Sequence, residues 1–392
     1  MRFPGFEGEW EETTLGKCSS DIDYGMNAAA MKFDGENRYI RITDIDESSS
    51  TYKSAAPVSP NAPLLDKYLV QQGDILFART GASTGRTYLY NDNDGKLYFA
   101  GFLIRARISK DFSAGFIFRQ TQTLKYDKWI KLMSMRSGQP GINSQEYGSF
   151  KFNIPTAREQ DKISSFLLVI DSRIQTQNKI IKELNVLKAT VAKRIFSKQL
   201  RFKDDDGNDF LQWKYMKLGD IGKVKMCRRI FNDETSFTGE IPFFKIGSFG
   251  READAFISKE LYINYRNKFS FPKKGDILIS AAGTIGRTVV YNGEDAYYQD
   301  SNIVWIDNDN TIVINEFLYY ILQTVKYNTE GGTIQRLYNS ILRSIKFDCP
   351  TVPEQRKITN FLLSIDSKIN VENQLLKKLE LQKFFLLNQM FV

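Results

Sequence analysis

The residues best suited to chemistry are arginines set beside paired glycines, and this arrangement occurs twice. Gly81-Ala-Ser-Thr-Gly85-Arg86-Thr87 follows Gly73-Asp74-Ile75-Leu76. Gly283-Thr-Ile-Gly286-Arg287-Thr288, one residue shorter, follows Gly275-Asp276-Ile277-Leu278. Glycine lets a backbone approach a ligand closely, and an adjacent arginine can grip a phosphate through two N–H groups, so the pattern admits an anion cradle. It equally admits a tight hairpin turn with an arginine on its rim. Arginine and lysine also read base edges in DNA. On that chemistry the candidate DNA contacts are Arg79, Arg86, Arg105 and Arg107 in the first half of the chain, with Lys245, Arg251, Arg287 and Arg336 in the second.

Other chemistries lack their residues. The chain has no histidine, which removes His-based metal sites, Ser-His and Cys-His nucleophile pairs and His general bases. It has no Gly-x-x-x-x-Gly-Lys-Ser/Thr phosphate loop, no Asn/Asp-Pro-Pro-aromatic motif of amino-methyltransferases and no Glu-x-Lys of the common nuclease core. No catalytic, metal-binding or cofactor-binding residue is therefore assigned. Cys18, Cys227 and Cys349 are odd in number and widely spaced, which suits a reducing cytoplasm and offers no disulfide framework. No apolar run approaches the length of a membrane span and no secretory leader is evident.

The elements that would carry the arginines can be read from the same runs. Each Gly-Asp predicts a turn, then a buried strand (75–78; 277–280), the Gly-flanked turn and a second strand (87–90; 288–291). Further β-like runs, including 39–43, 97–107, 242–246 and 302–306, and short helices near 126–135 and 316–325 complete an α+β domain present twice.

The duplication is clearest in the segment at the end of each domain. Shifted by 195 positions, 155–196 falls on 350–391 with 18 of 42 positions identical, so the chain is an internal repeat. Ile163, Phe166, Ile170, Ile174, Ile181, Leu184, Leu187, Val191 and Ile195 recur every three or four residues without an intervening Gly or Pro, the pattern of a long helix. Roughly 38 residues at 1.5 Å each make a rod on the order of 57 Å. Thr156/Glu159 and Thr351/Glu354 form capping-box patterns at the same place in each copy. Stripes this long need a partner, and the economical partner for each rod is the other.

The formal net charge of +8 is concentrated on the rods. Residues 158–198 hold nine Lys/Arg against four Asp/Glu (+5) and 354–392 hold six against four (+2), leaving 8 − 5 − 2 = +1 for everything else. Solvated helix faces account for this excess as well as DNA contact does, so charge alone does not identify a DNA-binding protein. Between the shared landmarks, 18–70 and 220–271 do not align, nor do 92–150 and 293–345. Duplicated frames with unlike filling suggest one kind of recognition applied to two different targets.

Taken in order, RFPGFEGEW and RFKDDDGNDFLQW opening the halves, GDILFARTGASTGR and GDILISAAGTIGR within them, GGTIQRLYNSILRSIKF before the second rod, and IPTAREQDKI and CPTVPEQRKI opening the rods resemble the specificity subunits of type I restriction-modification systems. The first half departs in reading SGQPGINSQEYGSFKF where the second has GGTIQRLYNS. The resemblance implies an α+β fold with two pseudo-two-fold-related target-recognition domains separated by two long antiparallel coiled-coil helices. The expected boundaries are recognition domain 1 at 1–155, spacer helix 1 at 156–198, a linker at 199–212, recognition domain 2 at 213–350 and spacer helix 2 at 351–392.

It further implies double-stranded DNA as ligand, two methyltransferase subunits as partners with room for translocase/nuclease subunits, no membrane, and action in the cytoplasm. S-adenosylmethionine, ATP and Mg2+ would belong to those partners. Ile181, Leu184, Val191, Leu379, Phe384 and Phe385 are candidate subunit-interface residues. The apolar run 384–387 suits either a partner's helices or packing within the rod pair. A coiled-coil scaffold with two protein-binding ends, a single-chain enzyme and a specificity subunit of another restriction architecture are the alternative readings.

Overall fold

The computed structural model describes residues 2–135, 138–327 and 336–391. Residues 331–335, which open the GGTIQRLYNS stretch, lie outside the described residues. The chain forms two compact units, one built from 1–179 and 373–392 and the other from 180–372.

The first unit is built on a four-stranded antiparallel sheet in the order Ser19–Tyr24, Leu103–Ile108, Asp74–Ala78, Thr87–Leu89. Alternate side chains of a strand face opposite sides. Ile75 and Phe77 therefore join a core with Ile104, Phe116 and Phe152, while Leu76 and Ala78 join another with Ile40, Leu97 and Leu103. All four are at 0% exposure. A strand covered on both faces reads as an unbroken apolar run, which is why this one was legible as buried. Three smaller pairs accompany it: Glu11–Thr14 with Lys151–Ile154 and Ala29–Lys32 with Val58–Asn61, both antiparallel, and Arg38–Ile40 with Leu97–Phe99, parallel.

The second unit repeats the plan. Its sheet runs Gly222–Met226, Ile303–Asn308, Ile277–Ser280, Thr288–Val290, with Lys214–Lys217 against Lys346–Cys349 and a parallel pairing of Phe243 and Phe244 with Tyr297 and Tyr298. The segments that fail to align in sequence thus share these strands, but among the described residues the Ala29–Lys32/Val58–Asn61 pair and the helix Leu124–Met133 occur only in the first unit, and the helix Lys259–Lys268 only in the second. The continuous β-run read over 97–107 is two strands broken by a turn at Ala100–Phe102.

The rods are single helices, Ala157–Phe196 of 40 residues and Val352–Met390 of 39. The capping-box expectation needs correction. The Glu159 carboxylate accepts from Arg2 Nε and Nη2 (2.8 and 2.7 Å). Glu354 accepts from Arg201 Nε and Nη2 (3.1 and 2.8 Å) and from Trp213 Nε1 (2.9 Å). Thr351 Oγ1 is buried without a hydrogen-bond partner. Both carboxylates are at 0% exposure, and a buried charge is tolerated only when paired, so each turns toward a guanidinium rather than back to its cap. This explains the Arg-Phe that opens each half.

The neighbouring glutamines also serve the fold. Gln160 accepts from Ser113 N and donates to Pro155 O, and Gln355 accepts from Ile314 N and donates to Pro350 O. Ser113 and Ile314 precede the helices Ala114–Gln120 and Asn315–Thr324, so in both units the glutamine satisfies an amide at a helix start that would otherwise be orphaned.

In the first unit, Lys383 Nζ lies 2.8 Å from Asp171 Oδ1, and Arg119 pairs with the other oxygen of the same carboxylate. In the second, Lys188 Nζ lies 2.5 Å from Asp366 Oδ1 while the Tyr320 hydroxyl donates to Oδ2 at 2.7 Å. The Ile-Asp-Ser motif shared by the rods therefore marks the aspartate that joins both helices to the domain. Leu386, Leu387, Met390 and Phe391 share a core with Ile163, Leu167 and Ile170 in the first unit, and Ile195 shares one with Ile358 and Leu362 in the second. Within each unit the two helical segments run antiparallel. Each fully buried side chain of this kind contributes about 1.5–3 kcal/mol.

Candidate nucleic-acid interface

Both Gly-flanked segments are hairpin turns. Phe77 pairs with Thr87 across the first, and Ile279 with Thr288 across the second. Gly85 has φ +93° and Gly286 φ +82°, in the left-handed region that favours glycine. A Cβ on Gly85 would lie 2.7 Å from Ile130 Cγ2, and one on Gly286 would lie 2.4 Å from Tyr327 Cε2. These two glycines therefore accommodate the domain's own side chains.

The turn amides are also engaged: Gly81 N donates to Pro140 O, Thr84 N to Gly81 O, Gly85 N to Ala78 O and Arg86 N to Ser83 O. In the second unit Gly286 N donates to Ser280 O and Arg287 N to Ser280 Oγ. An anion cradle needs free backbone N–H groups. The geometry is that of a hairpin turn, with these amides committed to the domain's own acceptors.

The candidate cations have different surroundings. Arg105 is 1% exposed; its guanidinium pairs with Asp21 (2.7 Å) and Asp23 (3.3 Å) and donates to Lys67 O. It is an internal strut and presents no surface to a ligand. Arg107 grips Asp74 through Nε and Nη2 (2.8 and 2.9 Å). Arg86 Nη2 lies 2.6 Å from Glu47 Oε2, a carboxylate 76% exposed. Arg79 is half-buried, stacks over the Tyr24 ring at 4.8 Å and has no ion-pair partner among the described residues.

In the second unit Arg287 Nη1 donates to Phe249 O at 2.7 Å, and a Cβ on Gly250 would be 3.6 Å from its Cδ. The loop 245–251 thus lies against the turn and brings Lys245 and exposed Arg251 to it. Exposed Arg336 is bridged to Ala282 at the turn's base. None of these four cations has a carboxylate partner among the described residues. The structure therefore gathers Lys245, Arg251, Arg287 and Arg336 on one rim, whereas three of the four candidates in the first unit face acids of their own domain.

Sequence reasoning missed two positions on the matching rims. Phe102 O accepts from Arg79 N (3.1 Å), and Asn302 O accepts from Ala281 N (2.7 Å). Ala78 pairs with Leu103 and Ser280 with Ile303, so Phe102 and Asn302 occupy one place in the common fold. The only sequence signal was Gly101 interrupting an apolar run.

On the rods, Ile181, Leu184 and Leu379 are half-buried, Val191 packs against the second unit's core, and Phe384 and Phe385 are 53% and 54% exposed. Leu386 and Leu387 are buried in the first unit. For those two, packing on the chain's own helix is the outcome, not a surface for a partner. No helix among the described residues is long and apolar enough to cross a membrane.

Comparison with known proteins gives these units a context. The family model described as "Type I restriction modification DNA specificity domain" matches residues 23–186 and again 211–381. A Haemophilus influenzae protein carrying the provisional name of type I restriction enzyme specificity subunit is 53% identical over 158 residues, 40% of this chain and 41% of that protein. A Methanocaldococcus jannaschii protein, provisionally named the MjaX specificity subunit, is 24% identical over 97% of this chain and 92% of its own length. The crystal structure of a type I restriction-modification S subunit from M. genitalium superposes with a TM-score of 0.61 at 15% identity, covering 100% of this chain and 97% of that one, a likeness of fold. With both of its units matched, the chain belongs to the type I restriction modification DNA specificity family and carries that domain twice.

Proposed function

We propose that this chain is the non-catalytic DNA-reading subunit of a type I restriction-modification complex, recognising an asymmetric site in two parts. Each unit reads one half-site, and the two long helices set the gap between the halves. Two methyltransferase subunits dock on it, translocase/nuclease subunits join that assembly, and S-adenosylmethionine, ATP and Mg2+ are held by those partners. The assembly acts in the cytoplasm.

The observation that supports this most is the combination of a common frame with different rims. The same hairpin turn recurs in both units, but in one it is ringed by four cations without carboxylate partners among the described residues, and in the other by acid-paired Arg86, Arg79 and exposed aromatics. Phosphate contacts fix register without reading sequence, and base-edge contacts in the major groove supply specificity. Two rims of different chemistry on one scaffold would read two different half-sites.

The test is base-resolution mapping of adenine methylation in cells that express the chain with its cognate methyltransferase. A motif of two unlike halves separated by a fixed gap is expected. A continuous or palindromic motif would contradict the reading, and no sequence-specific methylation at all would favour a protein-binding scaffold. Methylation or cleavage by the purified chain alone would overturn its non-catalytic assignment.

A further inference from the structure

Phe102 is 65% exposed yet sits on a fixed turn. Leu103 N donates to Ala100 O and Gly101 N to Met26 O, both at 2.8 Å. Met26 N donates to Phe99 O at 2.9 Å, and Arg79 N to Phe102 O at 3.1 Å. The close approach is possible because residue 25 is glycine, where a Cβ would meet Ala100 O at 2.2 Å. The Phe102 ring makes no ring-to-ring contact with the described residues, and its neighbour Arg79 stacks on Tyr24, itself 40% exposed. An aromatic held on a fixed, exposed turn beside a cation that has no ion-pair partner among the described residues has not been placed there to fill a core. Two exposed rings, Phe102 and Tyr24, beside an arginine are also unlike the broad apolar patch of a protein interface.

We infer that Phe102 stacks on, or wedges between, bases of the half-site read by the first unit, while Asn302 at the same position of the second unit offers its amide to a base edge. The inference rests on the DNA-reading function proposed above. Apolar side chains that unstack a base step make a protein sensitive to how easily that step deforms, whereas an asparagine amide can make two hydrogen bonds to adenine. The two units would then differ in the manner of reading as well as in the bases read. Arg79 and Tyr24 would hold the backbone and sugar beside the unstacked step.

The experiment uses the full chain assembled with its methyltransferase subunits and duplexes carrying 2-aminopurine at successive positions of the first half-site. Wild type should raise the fluorescence at one step. Phe102→Ala should abolish that rise and weaken binding by about 5- to 150-fold, from the 1–3 kcal/mol typical of a base on an aromatic ring. Phe102→Trp should retain both, and methylation specificity at the second half-site should be unchanged.

Equal affinity and equal fluorescence for wild type and Phe102→Ala would overturn the inference while leaving the general function intact. Loss of methyltransferase co-purification with half-site reading preserved would overturn it in favour of a protein contact. Failure of wild type to bind either half-site specifically would overturn the inference together with the reading on which it rests.

Discussion

Arg105 shows how a residue of the right type can sit in the wrong environment for its apparent role. It alternates with apolar neighbours in Leu103–Ile108, and that pattern alone does not separate an arginine that reaches solvent from one that braces a sheet. The position facing Leu278 in the other unit is Trp305, 1% exposed, just as Arg105 faces Leu76. The shared requirement is therefore a large buried side chain. Arg105→Ala should lower the first unit's unfolding free energy by about 3 kcal/mol through the cavity and the carboxylates left behind. Urea unfolding followed by tryptophan fluorescence measures this, and variants that still fold should keep their DNA preference.

Asp46 supplies a pH prediction at the same scale. Hydrogen bonds from the Ser48 hydroxyl and the Ser49 amide hold its carboxyl down at about 2. Because the folded value lies below the ordinary carboxylate range, about 3.9, its contribution to stability is present above roughly pH 4 and is lost as pH falls toward 2. Carboxyl NMR titration of Ser48→Ala should show the midpoint moving up toward the ordinary range.

At the level of elements, the signals shared between the halves turned out to describe joints. Arg2 with Glu159, Arg201 with Glu354, Gln160 with Ser113, Gln355 with Ile314, and Asp171 and Asp366 with the lysine of the facing helix all fasten helix to domain. Their helical and strand context was legible in periodicity. Their partners were not, because each contact spans a separation that local spacing does not encode. The half-sites' readers stayed hidden for the opposite reason: Phe102 and Asn302 differ in type, so a search for sameness passes over them. Glu354→Ala should cost the second unit about 1–3 kcal/mol, since it leaves the Trp213 indole N–H, Arg201 and their surroundings without an acceptor. Hydrogen exchange should locate the loosening at the start of Val352–Met390, and Glu354→Gln, which keeps one acceptor, should be milder.

For the whole molecule, the fold class and the continuity of the rods could be read from the repeat and its 3.6-residue stripe, while the division of each rod between two units could not. A stripe does not announce which core each of its segments will enter. Inserting four residues between Ile174 and Leu184 and four at the equivalent place between Ile369 and Leu379 keeps the Asp171–Lys383 and Lys188–Asp366 partners in register within their units. Methylation mapping of that variant should return the same two half-sites with a changed gap. An unchanged gap with an altered half-site would contradict a spacing role.

The first unit also contains Leu386, Leu387, Met390 and Phe391, with the Phe391 ring 5.1 Å from Phe116 and 6.4 Å from Trp10. During synthesis its sheet therefore emerges long before the side chains that seal it. At about 5–20 residues per second, some 200 residues of translation leave that apolar surface open for roughly 10–40 s. The half of the protein made earlier is the half whose core closes later, and ribosomes paused within the second unit should hold nascent chains that recruit chaperones to the first.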